Sequence, residues 1–239
     1  MKQMMRKKPL MFSLICIGAY VVIFGIVRSL PAPAALENAW ELAVGQLLSC
    51  MLFPLLSLTD QRTFYGVCPP AVPAKKMLFY LPLAALISIN FWCGAEGISG
   101  SGDLRFLFSM LFVALLEEVL FRGLLFRALL KEGRRQAILI ASLTFGLGHL
   151  VNLLSGSDLM AGLLQAAYSM AAGYMLVMLF LKSGSLLPGI LTHWLLNGLQ
   201  IFTPDTLSTV QVLVPGSGIL VISLAYGLYL RRLPDVLQQ

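Results

Sequence analysis

Three full charges lie inside one long apolar stretch, and they limit what this chain can fold into. Residues 111–130 read LFVALLEEVLFRGLLFRALL and contain Glu117, Glu118 and Arg122. A charge at the centre of a membrane-spanning helix costs roughly 2.5–3.5 kcal/mol even on the mildest insertion scales. Ionisable residues at such a depth are therefore candidates for a functional site.

The composition indicates a polytopic membrane protein. Hydrophobic residues make up 58% of the chain and charged residues 12%, against about 25% charged residues in an average soluble domain. The net charge is +6, but the basic residues fall between the apolar runs instead of clustering on one segment, as the positive-inside rule predicts. We therefore expect the lipid bilayer as a partner, and no nucleic acid.

Eight apolar runs approach the length of about 20 residues that a helix needs to cross a bilayer. They cover about 10–27, 40–58, 77–92, 104–130, 136–154, 159–181, 186–202 and 210–230, the last interrupted by Pro215, Gly216 and Gly218. The expected fold class is all-α, a polytopic membrane helix bundle with about eight transmembrane helices. Residues 1–239 form one integral membrane domain, with the motif-bearing core at 104–203.

The basic segments predict the topology. With the N-terminus inside, an even number of spans places both termini in the cytoplasm, together with the basic loop 131–135. A cleaved signal peptide is the alternative for the first run, because Ala32-Pro33-Ala34 resembles a cleavage site. The chain is short and has no large loops, so we expect a multi-pass protein of a bacterial cell membrane.

The spacing of the three charges separates their roles. Glu118 and Arg122 are four residues apart, which places them on one helical face in the favourable order for an ion pair. Glu117 points about 100° away around the helix and has no nearby cation in the sequence. One glutamate is thus expected to have a structural role and the other to take part in the chemistry of a site.

Both histidines of the chain also lie within predicted spans. His149 is in the fifth run and His193 is in the seventh, with Asn197 four residues later on the same face. At 1.5 Å of rise per residue, Glu117 and both histidines lie about 10–20 Å from the cytoplasmic ends of their helices, so they can meet. Such a cluster can deprotonate a water and stabilise an oxyanion.

Other roles for these polar residues stay open. A single histidine or asparagine inside a membrane often serves only as a hydrogen-bonding contact between helices, and Asn152 is either such a contact or a support for His149. A proton-coupled transporter could use Glu117 and the histidines as a relay. The absence of an inverted repeat disfavours the transporter.

Three motifs together resemble a known family. Glu117-Glu118-x-x-x-Arg122, Phe145-x-x-x-His149 and His193-x-x-x-Asn197 are similar, in order and spacing, to the signature of the CPBP intramembrane proteases, also called the CAAX protease, bacteriocin-processing or Abi family. The resemblance covers about 111–200. Each motif alone is weak, whereas three in order on membrane spans are specific.

The resemblance implies a role for each residue. Glu117 and His149 activate the hydrolytic water, His193 and Asn197 stabilise the tetrahedral oxyanion, and Glu118 and Arg122 support them. We expect no metal and no other cofactor, since H-E-x-x-H is absent and the cysteines show no C-x-x-C spacing. Zinc held by Glu117, His149 and His193 is the alternative.

The expected function is that of an intramembrane endopeptidase that cleaves membrane-associated peptides or proteins reaching it from the lipid or the cytoplasmic side. The resemblance links it to bacteriocin or pheromone peptide processing, or to self-immunity. The alternative is a non-catalytic immunity or peptide-binding protein of the membrane, in which the same polar cluster captures a peptide. The sequence does not select the substrate or the oligomeric state.

Overall fold

The described part of the chain folds entirely into helices and loops. The computed structural model describes residues 2–29, 46, 61–72, 81–92, 101–154, 158–204 and 207–237, and none of these forms a strand. The helices are α1 (Lys2–Lys7), α2 (Pro9–Ser29), α3 (Leu81–Ser88), α4 (Ser101–Glu118), α5 (Arg134–Gly148), α6 (Val151–Leu154), α7 (Leu159–Ser183), α8 (Leu187–Gly198) and α9 (Thr209–Arg231).

Several helices continue beyond these bounds in other helical geometries. A 3₁₀ turn, Ile89–Phe91, follows α3, and another, Leu199–Phe202, follows α8. The π-helical stretch Val119–Phe126 extends α4 and leads into a last α-helical turn at Arg127–Leu129. The buried charges therefore lie where α4 changes into its wider form, a type of helix that is frequent at functional sites.

Local sequence signals mark several helix ends. Asp158 caps α7 by accepting from the backbone N–H of Ala161, and Gly184 ends it in the left-handed conformation, with φ of 68°. Ser208 and Gln211 form a capping box at the start of α9. These signals fix the positions at which the chain turns back along the bundle.

Helix α7 lies at the centre of the packing. From Ala171 to Ser183 nearly all of its residues are buried, and it packs along α5 on one side and α9 on the other. Glycines allow the close approach: a Cβ on Gly146 would lie 2.7 Å from the carbonyl oxygen of Ala166 on α7, and one on Gly227 of α9 would lie 2.7 Å from the ring of Tyr174. The second close pair in the bundle is α4 with α8.

One end of the bundle is rich in basic residues and is tied together by polar contacts. The chain turns there between α4 and α5 and between α7 and α8. Asp235 pairs with Arg134 at 2.9 Å and with Lys182 at 2.5 Å. A shallow surface pocket at this end is lined by Lys7 and Lys131. We call this end of the bundle the basic end. It contains the segments that the predicted topology places in the cytoplasm.

The lengths of the helices support membrane insertion but do not establish the number of membrane spans. Three helices of the described part are long and apolar enough to cross a membrane: α2 over Pro9–Ile26, α7 and α9. The predicted span 40–58 lies outside the described residues except for Gln46, and the span 77–92 is described only from Leu81. The count of eight spans therefore stays a prediction.

Two details of the predicted spans were wrong. The last run is not interrupted, because α9 continues through Pro215, and Gly216 brings it against Leu164 of α7, where a Cβ would lie 2.6 Å away. Within a helix bundle, neighbouring helices compensate for the hydrogen bond that proline removes. The fifth run is not one helix, because α5 ends at Gly148 and a turn at His149 and Leu150 separates it from α6.

Candidate active site

A cavity of about 560 Å³ lies between α2, α4, α5, α7 and α8. The four residues predicted to be catalytic, Glu117, His149, His193 and Asn197, all line it. They come from α4, the turn after α5, and α8, as the sequence motifs required. The structure thus places these four side chains around one cavity. Residues of α2 and α7 also line the cavity, which the motifs did not indicate.

The cavity occupies the half of the bundle that is remote from the basic end. On α4 its lining residues run from Phe106 to Phe121, which is the part before the helix reaches the basic end. On α5 they begin at Phe145 and on α8 at Thr192, which are the later parts of helices that start at the basic end. The other half of the bundle is filled by packed side chains, including Phe126 and Phe180.

Glu118 and Arg122 form a buried ion pair, which confirms the pairing predicted from their spacing. Nη1 of Arg122 donates to Oε1 of Glu118 at 2.9 Å, and the two side chains are 0% and 1% exposed. Nη2 of Arg122 also reaches the carbonyl oxygen of Gly173 at 3.5 Å. The guanidinium lies 4.0 Å from the ring centre of Phe145, where a cation–π contact adds to its stabilisation.

Glu118 also orients His193. Nδ1 of His193 lies 3.0 Å from Oε1 of Glu118. Because a carboxylate paired with arginine can only accept hydrogen bonds, Nδ1 carries a proton and donates it. Room for this carboxylate comes from Gly189 on α8, where a Cβ would lie 3.3 Å from Oε2 of Glu118. Nε2 of His193 is turned towards Glu117, with Oε2 of Glu117 at 3.6 Å.

His149 occupies the C-cap position of α5. Its Nδ1 lies 2.9 Å from the carbonyl oxygen of Phe145. A carbonyl oxygen can only accept, so Nδ1 is the protonated nitrogen and Nε2 keeps its lone pair. Gly148, beside it, has no atom within 4 Å of an added Cβ and lines the cavity. The end of the helix at this point exposes the imidazole to the cavity.

The ring of Phe145 holds the two histidines and the arginine in place. It makes edge contacts with His149 at 5.2 Å, with His193 at 5.7 Å and with Phe121 at 5.3 Å between ring centres. Since Phe145 is buried, these contacts fix both imidazoles relative to the ion pair. An aromatic residue between two histidines and a guanidinium is a positioning element as well as part of the core.

Sequence reasoning missed Tyr20, which lies on α2. Its hydroxyl donates to Oε1 of Glu117 across 97 positions of the chain. Glu117 thus has a hydrogen-bond donor on one oxygen and the imidazole of His193 near the other. No local pattern could have paired these residues, because Tyr20 belongs to an otherwise apolar helix.

Other polar residues of the cavity were also missed. Asn197, which was predicted, lines it one turn after His193, and the remaining polar lining side chains are Gln165, Tyr168, Ser169, Thr192 and Gln200. Three of these come from α7, whose sequence shows no polar motif. The cavity therefore has a polar wall on α7 facing the glutamate and the histidines. The side chain of Asn152 lies outside the described residues.

The glutamate and the histidines of the cavity are also potential metal ligands. A tetrahedral zinc needs three or four converging nitrogen, oxygen or sulfur ligands about 2.0–2.3 Å from one point. Within the described ranges, no group of three His, Cys, Asp or Glu side chains is arranged to hold a metal. Nδ1 of each histidine makes a hydrogen bond, so Nε2 of each is the nitrogen that would be left to bind a metal.

The fold and the site together define a class: a helical membrane protein with carboxylates and imidazoles gathered around an internal cavity. Residues 102–199 match the family model described as type II CAAX prenyl endopeptidase Rce1-like. This match covers less than half of the chain, and it is consistent with the likeness to the CPBP proteases that the three motifs predicted. A search of the curated proteins and a search of the solved structures found no match.

Proposed function

We propose that this protein is an intramembrane endopeptidase that hydrolyses peptide bonds of membrane-associated peptides or proteins. One observation carries the proposal: Glu117, His149, His193 and Asn197 line one cavity, in a segment that matches an endopeptidase family. A cavity of about 560 Å³ falls in the size range of ligand sites. It can hold a few residues of an extended peptide.

Glu117 and His149 are the groups proposed to activate the water. His149 offers the lone pair of Nε2, because Nδ1 donates to Phe145. Glu117 is 13% exposed and presents a carboxylate to the same cavity. A water held between them loses a proton to one of these bases as its oxygen attacks the carbonyl carbon of the peptide bond. The same proton then passes to the nitrogen of the leaving amine as the C–N bond breaks.

His193 and Asn197 are the proposed donors to the oxyanion. Asn197 supplies an amide N–H, and His193 supplies Nε2–H. Since Nδ1 of His193 donates to Glu118, this role requires the ring to carry both protons. The local charges are compatible with that state, because Glu117, Glu118, Arg122 and a doubly protonated His193 sum to zero. Fixed donors of this kind typically contribute about 2.7–4 kcal/mol each to the transition state.

Glu118 and Arg122 are proposed to act indirectly. Neither belongs to the lining of the cavity, and each is nearly or fully buried. Their role is to hold the ring of His193 so that Nε2 faces the reacting carbonyl. Loss of either residue is therefore expected to misplace His193 as well as to destabilise the fold.

The proposed chemistry uses no metal and no other cofactor. It relies on protein bases whose protonation follows from their hydrogen bonds. The measurement is cleavage after exhaustive treatment with a zinc chelator. Full activity is expected, whereas loss of activity that added zinc restores would favour the zinc site of Glu117, His149 and His193.

The location of the cavity bears on how the substrate reaches it. The sequence led to an expectation of access from the lipid or the cytoplasmic side. With both termini and the basic end in the cytoplasm of a bacterial cell, the cavity lies in the half of the bundle nearer the opposite side. Access from the lipid or from that outer half is thus the proposed route, and it suits exported or membrane-anchored peptides such as bacteriocin or pheromone precursors.

The test compares new peptide termini in membranes of cells that carry the wild-type protein or Glu117→Gln at equal abundance. Glu132→Gln is the matched control, because Glu132 is an exposed glutamate in the turn after α4. Termini that disappear only in Glu117→Gln are expected, and they identify the substrate. Identical termini in all three samples would refute the proposal and would leave peptide binding or immunity as the function.

A further inference from the structure

Tyr20 stands out among the polar groups around the cavity because it contacts the proposed base directly. Its hydroxyl donates to Oε1 of Glu117. It lies on α2, outside the segment 102–199 that matches the endopeptidase family. The family match therefore assigns no role to Tyr20. The contact is made by the N-terminal helix, which the family match does not include.

The sequence of α2 explains why Tyr20 reaches Glu117. Phe12, Cys16, Tyr20 and Phe24 follow one another at intervals of four, so they lie along one face of the helix. Phe12 is buried and Cys16 packs against the same core, whereas Tyr20 and Phe24 line the cavity. The apolar half of this face anchors α2 on the bundle, and the next turns carry the hydroxyl to the level of the glutamate.

The ring of Tyr20 is itself held in place. Phe24 contacts it edge to face, with 4.7 Å between ring centres. The hydroxyl therefore meets Glu117 from a fixed direction. With Oε1 bound in this way, Oε2 is the oxygen that lies near Nε2 of His193, at 3.6 Å.

We propose that Tyr20 is a positioning residue for Glu117, so that the N-terminal helix completes the active site. Its hydroxyl fixes the carboxylate through Oε1 and leaves Oε2 directed at the water and at His193. A hydrogen bond from a neutral donor to a charged acceptor is among the stronger hydrogen bonds of proteins. The inference rests on the proposed function, since it gives Tyr20 a part in the same reaction.

The first experiment needs no substrate. The purified full-length protein in detergent is treated with dicyclohexylcarbodiimide, an apolar reagent that modifies carboxyl groups, and modification of Glu117 is followed by mass spectrometry. Tyr20→Phe removes only the hydroxyl and leaves Oε1 uncovered. We expect modification of Glu117 to become roughly tenfold faster or more, as for the loss of one hydrogen bond to a charged group.

Tyr174→Phe is the matched control. It also removes one buried hydroxyl from the bundle, but this hydroxyl has no hydrogen-bond partner among the described residues and Tyr174 does not line the cavity. Unchanged modification in Tyr20→Phe, or an equal increase in both variants, would overturn the inference. An increase restricted to Tyr20→Phe supports it.

The second experiment measures cleavage. Tyr20→Phe is expected to lower kcat roughly tenfold or more with KM unchanged, while its thermal stability stays equal to that of Tyr174→Phe. An unchanged kcat would overturn the inference even if Glu117→Gln is inactive. If the wild-type protein cleaves nothing, the proposed function fails, and the carbodiimide experiment still decides whether Tyr20 holds Glu117.

Discussion

Replacing Arg122 with methionine tests whether the buried ion pair is required for folding. Arg122 is 0% exposed and contacts Glu118, Gly173 and Phe145. Methionine fills a similar space without a charge, so the variant leaves the carboxylate of Glu118 in the core without its cation. The expected result is a large loss of stability, accompanied by lower abundance in the membrane.

The magnitude follows from the geometry. Two unit charges about 4 Å apart attract each other by about 4 kcal/mol at an effective dielectric constant near 20. Removing one partner of a buried pair typically costs about 3–5 kcal/mol. Since Glu118 keeps its hydrogen bond from His193, we expect a value near the lower limit, about 3 kcal/mol.

The measurement is the free energy of unfolding in mixed micelles titrated with dodecyl sulfate. Arg135→Met serves as the control, because Arg135 is exposed at the start of α5, and it should resemble the wild type. The double variant Glu118→Gln, Arg122→Met removes both charges of the ion pair and should be more stable than Arg122→Met alone. A double variant that is less stable than Arg122→Met, or an Arg122→Met protein as stable as Arg135→Met, would refute the reasoning.

Three further predictions concern packing and charge. Gly146→Ala should destabilise the protein by about 1–3 kcal/mol in the same titration, because its Cβ would meet the backbone of α7, whereas Gly148→Ala, which meets no atom within 4 Å, should not. Gly189→Ala should slow cleavage while the protein stays folded, because the methyl group pushes Glu118 away from His193; an unchanged rate would contradict this. Partial burial raises the pKa of Asp235, but hydrogen bonds and charges from its two basic partners outweigh this and hold the pKa below the ordinary value. Its contribution is therefore complete above about pH 4 and is lost as the pH falls through the lowered pKa. A stability difference between wild type and Asp235→Asn that did not shrink as the pH fell below 4 would contradict the account.

The sequence was sufficient to predict features that depend on contacts between residues close together in the chain. The pairing of Glu118 with Arg122 follows from their spacing on one helical turn. In the structure, Nη1 of Arg122 lies 2.9 Å from Oε1 of Glu118. The likeness to a protease family follows from three motifs of five or six residues.

Features that depend on distant contacts could not be predicted from the sequence. Tyr20 meets Glu117 across 97 positions, and nothing in an apolar helix distinguishes this tyrosine from one that faces lipid. The polar wall on α7 could not be predicted for the same reason. Gln165, Tyr168 and Ser169 face the glutamate and the histidines only once the helices have packed. Hydropathy could not show the turn at His149 either, because the runs on both sides of it are equally apolar.

The most direct test of the central claim is cleavage by the purified protein in lipid vesicles. The substrate is a set of lipid-anchored peptides with a fluorophore and a quencher on either side of the cleavable segment. Wild type and Glu117→Gln are compared at equal folded amounts, and loss of the base is expected to lower the rate by about 10²–10⁴-fold. Cleavage by Glu117→Gln at the wild-type rate would contradict the account, because the cavity would then contain no glutamate-dependent active site.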